Sequence, residues 1–112
     1  MQDEIRKHLF DVLQAAKDIR EFTAGLTYAD YLADAKTQAA VERKFEIIGE
    51  ALNRIKRTDK PLVTTIPDHD RIITFRNIIS HGYDIVNQAI VWDVVQNHLP
   101  SLERVVQNLL AP

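Results

Sequence analysis

Arg76, Asn77 and His81 gather at the end of an otherwise apolar stretch, Phe75-Arg76-Asn77-Ile78-Ile79-Ser80-His81-Gly82-Tyr83-Asp84, with Tyr83 just beyond the histidine. Arginine offers a planar fork of donors that fits a phosphate. Histidine takes or gives a proton near neutral pH. Together they are a minimal set for cutting RNA without a metal. His81 as base would remove the proton from a ribose 2'-hydroxyl, and that oxygen would attack the neighbouring phosphate. Arg76 would stabilise the charge building on the phosphorane. The same residues also have an ordinary structural explanation. Cations near a helix C-terminus complement its dipole, and a tyrosine there can simply pack on its neighbours.

Spacing constrains the chemistry. Arg76 and His81 are five residues apart, about 140° around an ideal helix, so the two do not project in parallel. Within one subunit they make a loose pair. A two-fold homodimer that joins two copies of this helix end would turn them into a shared cleft.

Other polar residues are less suggestive. Glu46 and Glu50 are four apart and could act as paired carboxylates, but a solvated helix face explains them as well, and no Glu-x-x-His accompanies them. Asp68-His69-Asp70 has metal-binding residue types, yet adjacent residues at a helix start point apart, which favours capping. His98 sits among apolar neighbours and reads as a packed or partly exposed helix residue. Gly-x-Ser-x-Gly, phosphate-binding Gly-rich loops and His-Glu-x-x-His are all absent.

Helical periodicity supplies the elements that must position these groups. Ile5, Leu9, Val12, Ala16 and Ile19 share one face of a helix over about residues 3–22, which Gly25 ends. Thr27 and Asp30 stand in capping-box spacing over a short turn at 27–32. Asp34 caps a long helix to about residue 57, striped by Val41, Phe45, Ile48, Leu52 and Ile55. Residues 58–67 read as loop. Asp68 or Asp70 caps a helix over 72–81, with Gly82 as its C-terminal cap.

The last helix spans about 87–110, with Val91, Val95, Leu102, Val105 and Leu109 in one row and Trp92, Leu99 and Val106 widening it. Pro100 should kink it near Gln96 or Asn97. Its apolar girth exceeds what one core face needs, so it is either central or turned toward a second subunit. Four substantial helices and a short one predict an all-α, antiparallel up-and-down bundle forming one domain over residues 1–112.

Composition narrows the function. Fourteen basic residues face sixteen acidic ones, a formal charge of -2. Proteins that bind long nucleic acid by bulk electrostatics are more basic, so an RNA contact must come from a local site. Arg54, Lys56, Arg57 and Lys60 form one modest basic cluster, readable as a solvated helix end. The chain has no cysteine, which excludes disulfides and thiolate-metal sites and suits a cytoplasmic location. The start, Met1-Gln2-Asp3-Glu4, lacks a signal peptide's apolar core, and no apolar run reaches bilayer length.

Arg76-Asn77-Ile78-Ile79-Ser80-His81-Gly82-Tyr83 resembles the Arg-x4-His-x-Tyr motif of HepT-like proteins in the HEPN superfamily, including the polar residue after the arginine. Residues 40–51, Ala40-Val41-Glu42-Arg43-Lys44-Phe45-Glu46-Ile47-Ile48-Gly49-Glu50-Ala51, look like that family's third-helix segment. Residues 91–100 look like its last helix, proline included. The resemblance implies a HEPN-like bundle and a toxin of a two-gene toxin-antitoxin module, with a metal-independent ribonuclease site at a dimer interface. By position that site is Arg76 and His81, with Asn77 as polar helper. It further implies an MntA-type nucleotidyltransferase partner that transfers AMP from ATP to Tyr83. The ribonuclease itself would need no cofactor. Added phosphate charge and bulk beside His81 would block RNA and compete for Arg76. Two other functions stay open: a non-catalytic nucleotide- or substrate-binding accessory subunit of a small nucleotidyltransferase, and a plain structural adaptor.

Overall fold

Each apolar stripe becomes a buried helix face. A computed structural model describes residues 1–81 and 86–112, the side chains of Ser80 and His81 excepted. In chain order the described elements are α1 (Asp3–Thr23), α2 (Tyr28–Leu32), α3 (Ala35–Thr58), α4 (Lys60–Val63), α5 (His69–His81), α6 (Gln88–Asn97) and α7 (Leu99–Leu110). No strand occurs among the described residues. The expected all-α bundle is what forms. None of its described helices is long and apolar enough to cross a membrane.

Cross-helix pairs show how the helices run. Lys44 Nζ on α3 meets Asp18 Oδ2 on α1 at 3.0 Å. Toward the start of α1, Lys7 and His8 instead share a cleft with Glu50 and Arg54. Residue numbers rise on one helix as they fall on the other, so α1 and α3 are antiparallel. The pairs Lys56–Asp70 and Glu50–Arg76 give the same result for α3 and α5. Arg20 with Glu103, and Arg6 with the Leu110 carbonyl, do so for α1 and α7.

The stripes meet in one core. Ile5, Leu9, Val12, Ala16 and Ile19 from α1 pack with Val41, Phe45, Ile48, Leu52 and Ile55 from α3, all essentially inaccessible. Burying each large apolar side chain stabilises the fold by about 1.5–3 kcal/mol. Caps form as the residue types require. Thr27 and Asp30 exchange both capping-box bonds, at 3.1 and 3.0 Å. Asp34 Oδ1 accepts from the Thr37 N–H at 3.0 Å, and Gly25 takes φ +76° past the end of α1.

Three expectations need correction. Residues 58–67 are not all loop, because Asp59 accepts from the Leu62 N–H at 3.1 Å and starts the single turn α4, where Pro61 needs no donor. Helix α5 begins at His69 rather than Ile72. The Asp68 carbonyl does accept the Ile72 N–H at 3.0 Å, as an N-cap carbonyl would. Its carboxylate, however, goes to His98 Nδ1 at 2.7 Å, and the Asp70 carboxylate goes to Lys56 Nζ at 2.8 Å. The proposed cap at Gly82 lies outside the described residues.

The last helix is broken, not kinked. Pro100 lacks a donor and its ring would strike the carbonyl of Gln96, so α6 stops at Asn97 and α7 restarts at Leu99, with Pro100 in its first turn. The buried face runs on across the break from Val91 and Val95. Leu99, Leu102 and Val106 are buried, whereas Val105 and Leu109 are only half-buried. This helix pair is not central, and it leaves Ile90 54% exposed.

Candidate active site

Helix α5 carries the motif and α3 holds it. Phe45 and Phe75 meet edge to face with centroids 5.3 Å apart, a pair worth about 0.5–1.5 kcal/mol beyond its buried area. Lys56 and Asp70 tie the same two helices nearer the start of α5. Between these contacts Gly49 permits the close approach. A Cβ placed there would collide with Arg76 Cβ, and would lie 2.7 Å from Arg76 Cγ and 3.3 Å from the Ile72 carbonyl oxygen.

The Arg76 stem crosses this gap and its head group is held at both terminal nitrogens. Arg76 Nη2 donates to Glu50 Oε2 at 2.6 Å, and Nη1 donates to Asn77 Oδ1 at 2.9 Å. Glu50 Oε1 also accepts from Arg54 Nε at 2.9 Å. The Arg54 hydrogen bond, joined by the Arg76 and Arg57 charges, holds the Glu50 carboxyl below the usual carboxylate range although burial pushes the other way. Glu50 is thus no simple solvated helix-face residue; it is an anion between two guanidinium groups. A carboxylate and a phosphate present similar paired oxygens to arginine, so the head group that meets Glu50 is oriented in a way a phosphate could also use.

Of the four site residues read from the sequence, the structure brings Arg76 and Asn77 together. Helix α5 runs unbroken to His81, which keeps the five-residue helical spacing. The His81 side chain and Tyr83 lie outside the described residues. Among the described residues no group of three or more His, Cys, Asp or Glu is placed to hold a metal ion.

With this geometry in view, similarity to known proteins decides the family. Residues 12–109 match the HepT-like family, described as "Ribonuclease HepT-like". The chain belongs to that family. A relative from Methanocaldococcus jannaschii, named provisionally as an RNase, is 32% identical over 109 residues, covering 96% of this chain and 88% of that protein. A "Probable ribonuclease HepT" of Thermococcus cleftensis is 36% identical over 103 residues, covering 92% and 93%. A provisionally named RNase of Caldanaerobacter subterraneus is 29% identical over 105 residues, covering 94% and 93%. No solved structure matches the chain.

Several residues around the HepT-like motif escape a reading by spacing. Glu50 is 26 residues from Arg76, and only its i,i+4 relation to Arg54 is visible in sequence. Gly49 does leave a signal, since glycine inside a long helix costs about 1 kcal/mol against alanine and often marks a close backbone approach. His98 is not merely packed. It caps the α6–α7 junction, held by Asp68 and by Arg71 Nη1 at 2.9 Å from its Nε2.

Proposed function

We propose that this protein is a metal-independent endoribonuclease, the toxin of a HepT–MntA-type toxin-antitoxin module acting in the cytoplasm. Family membership supports the class, and the single observation that carries the mechanism is the Arg76 guanidinium held by Glu50 and Asn77. In the reaction Arg76 meets the scissile phosphate, and Asn77 keeps its head group in plane. His81 takes the proton of the 2'-hydroxyl, which attacks the phosphorus and expels the 5'-oxygen of the next nucleotide.

The working unit in this reading is a homodimer. A groove of about 720 Å³ between α5 and α6 is lined by Phe75, Ile78, Ile90 and Val94, and Ile78 and Ile90 are 53% and 54% exposed. Ile78 directly follows Asn77 on the motif helix. A second copy seated on this groove would bring two motif ends into one cleft, which the 140° offset of Arg76 and His81 calls for.

Neutralisation in this reading rests on Tyr83 lying two residues after His81 in the sequence. An MntA-type nucleotidyltransferase transfers AMP from ATP to the Tyr83 hydroxyl, with pyrophosphate leaving, and the new phosphodiester beside His81 repels RNA and competes for Arg76. The toxin itself uses no cofactor.

The test is RNA cleavage by the purified protein in EDTA, beside folded Arg76→Ala and His81→Ala variants. Cleavage by the parent and none by either variant is expected. Absence of cleavage by a parent whose mass shows unmodified Tyr83 would overturn the ribonuclease and favour a non-catalytic accessory subunit of the nucleotidyltransferase.

A further inference from the structure

A polar cleft of about 510 Å³ opens where α1, α3 and α5 meet, and Arg76 and Glu50 form part of its wall. Its volume lies in the range of about 300–1,000 Å³ typical of small-ligand sites. Four permanent cations line it (Lys7, Arg43, Arg54 and Arg76) against three carboxylates. On a chain with a formal charge of -2, this cleft therefore carries a local positive surplus suited to one phosphodiester.

His8 gives the cleft a second character. It lines the wall from α1 yet is only 7% exposed. Among the described residues its Nε2 is buried without a hydrogen-bond partner, and Glu4 Oε1 stands 3.7 Å away. A buried ring nitrogen left unpaired destabilises the empty protein, whereas an apolar side chain of similar size would not. A plain packing role would be better filled by leucine. A ligand with its own donor or acceptor gives the nitrogen its missing partner, in either tautomer.

We propose that this cleft binds the nucleotide adjacent to the phosphate held by Arg76, with His8 Nε2 as the hydrogen-bonding partner of its nucleoside. The proposal rests on the RNA-directed reading of Arg76 and extends it, because it moves recognition from the motif helix to α1. His8 is here a binding residue for RNA, and the cations around it steer the backbone.

The experiment is a binding titration of the full chain with a 2'-O-methyl tetranucleotide, which cannot be cut, alongside ¹⁵N observation of the His8 ring. The ring signals should move to saturation with the tetranucleotide and stay fixed with inorganic phosphate at equal concentration. His8→Leu should resist urea at least as well as the parent yet bind about fivefold to tenfold more weakly, the loss of one hydrogen bond. His8→Gln, which keeps a polar atom near the Nε2 position, should restore most of the affinity. No tetranucleotide binding by the parent, unweakened binding by His8→Leu, or a shift reproduced by phosphate alone would each overturn the cleft. A parent that binds through His8 but cuts no RNA would uphold the cleft and sink the ribonuclease. Cleavage with binding indifferent to His8 would do the reverse.

Discussion

Gly49 and Arg76 are matched by shape: α3 lacks a Cβ at the one point where the Cβ and Cγ of Arg76 cross it from α5. The contact sets both the distance between the two helices and the path of the arginine toward Glu50. Packing and site geometry are therefore the same feature at this position.

Gly49→Ala should cost stability despite alanine's higher helix propensity. Overpacking of this kind costs about 1–3 kcal/mol, and the propensity gain returns about 1 kcal/mol. A net loss of up to about 2 kcal/mol is expected in urea unfolding, together with a fall in RNA cleavage. An unchanged midpoint would show that α5 yields freely.

Glu50→Ala tests the orientation of Arg76 separately. The pair is partly exposed, with side-chain exposures of 29% and 36%, so its stability contribution should be small, up to about 1 kcal/mol. The effect on single-turnover cleavage should be larger, about tenfold to hundredfold, because a displaced catalytic group loses its alignment. Equal rates in both proteins would show that Glu50 does not orient Arg76.

The dimer has its own test. Ile90→Glu places a charge on an exposed position of the α5–α6 groove, where it should leave the monomer fold intact. Sedimentation should show a dimer becoming monomer, with cleavage lost in parallel. A monomeric variant that cuts RNA at the parent's rate would remove the shared cleft from the mechanism.

Acid should weaken the bundle through specific carboxylates. A hydrogen bond from Lys44 lowers the Asp18 carboxyl, one from Arg54 lowers Glu50, and one from Lys56 lowers Asp70. Each folded value lies below its unfolded one, so the stabilisation is present above the unfolded value and is lost as pH falls through the folded one. The urea midpoint should hold between about pH 7 and pH 5 and drop below about pH 4.5. Asp18→Asn should flatten that drop, and a profile identical to the parent's would show that the Lys44 pair plays no part in it.

What the sequence makes legible follows the range of the forces involved. The stripes of α1 and α3 are readable because burial repeats every three or four residues along one element. Arg76 and Asn77 are readable because they are neighbours. The buried face of α7 is less so, because that helix is apolar around much of its girth and only contact with α1 selects Leu102 and Val106 over Val105 and Leu109. Glu50's hold on Arg76 and the burial of His8 are likewise hidden, since each depends on which face of α3 meets α5 and α1. His81 and Tyr83 come from the motif itself.

Glu50 also changes what it means for this protein to meet a phosphate. With Glu50 seated on Nη2, the Arg76 guanidinium meets an incoming phosphate with its charge already partly neutralised. Arg54 holds the other oxygen of that carboxylate and keeps it in place. Such an arrangement lowers the appetite for stray polyanions, because the cation they meet is already part-compensated, so capture at Arg76 should be less sensitive to salt than a bare arginine would be.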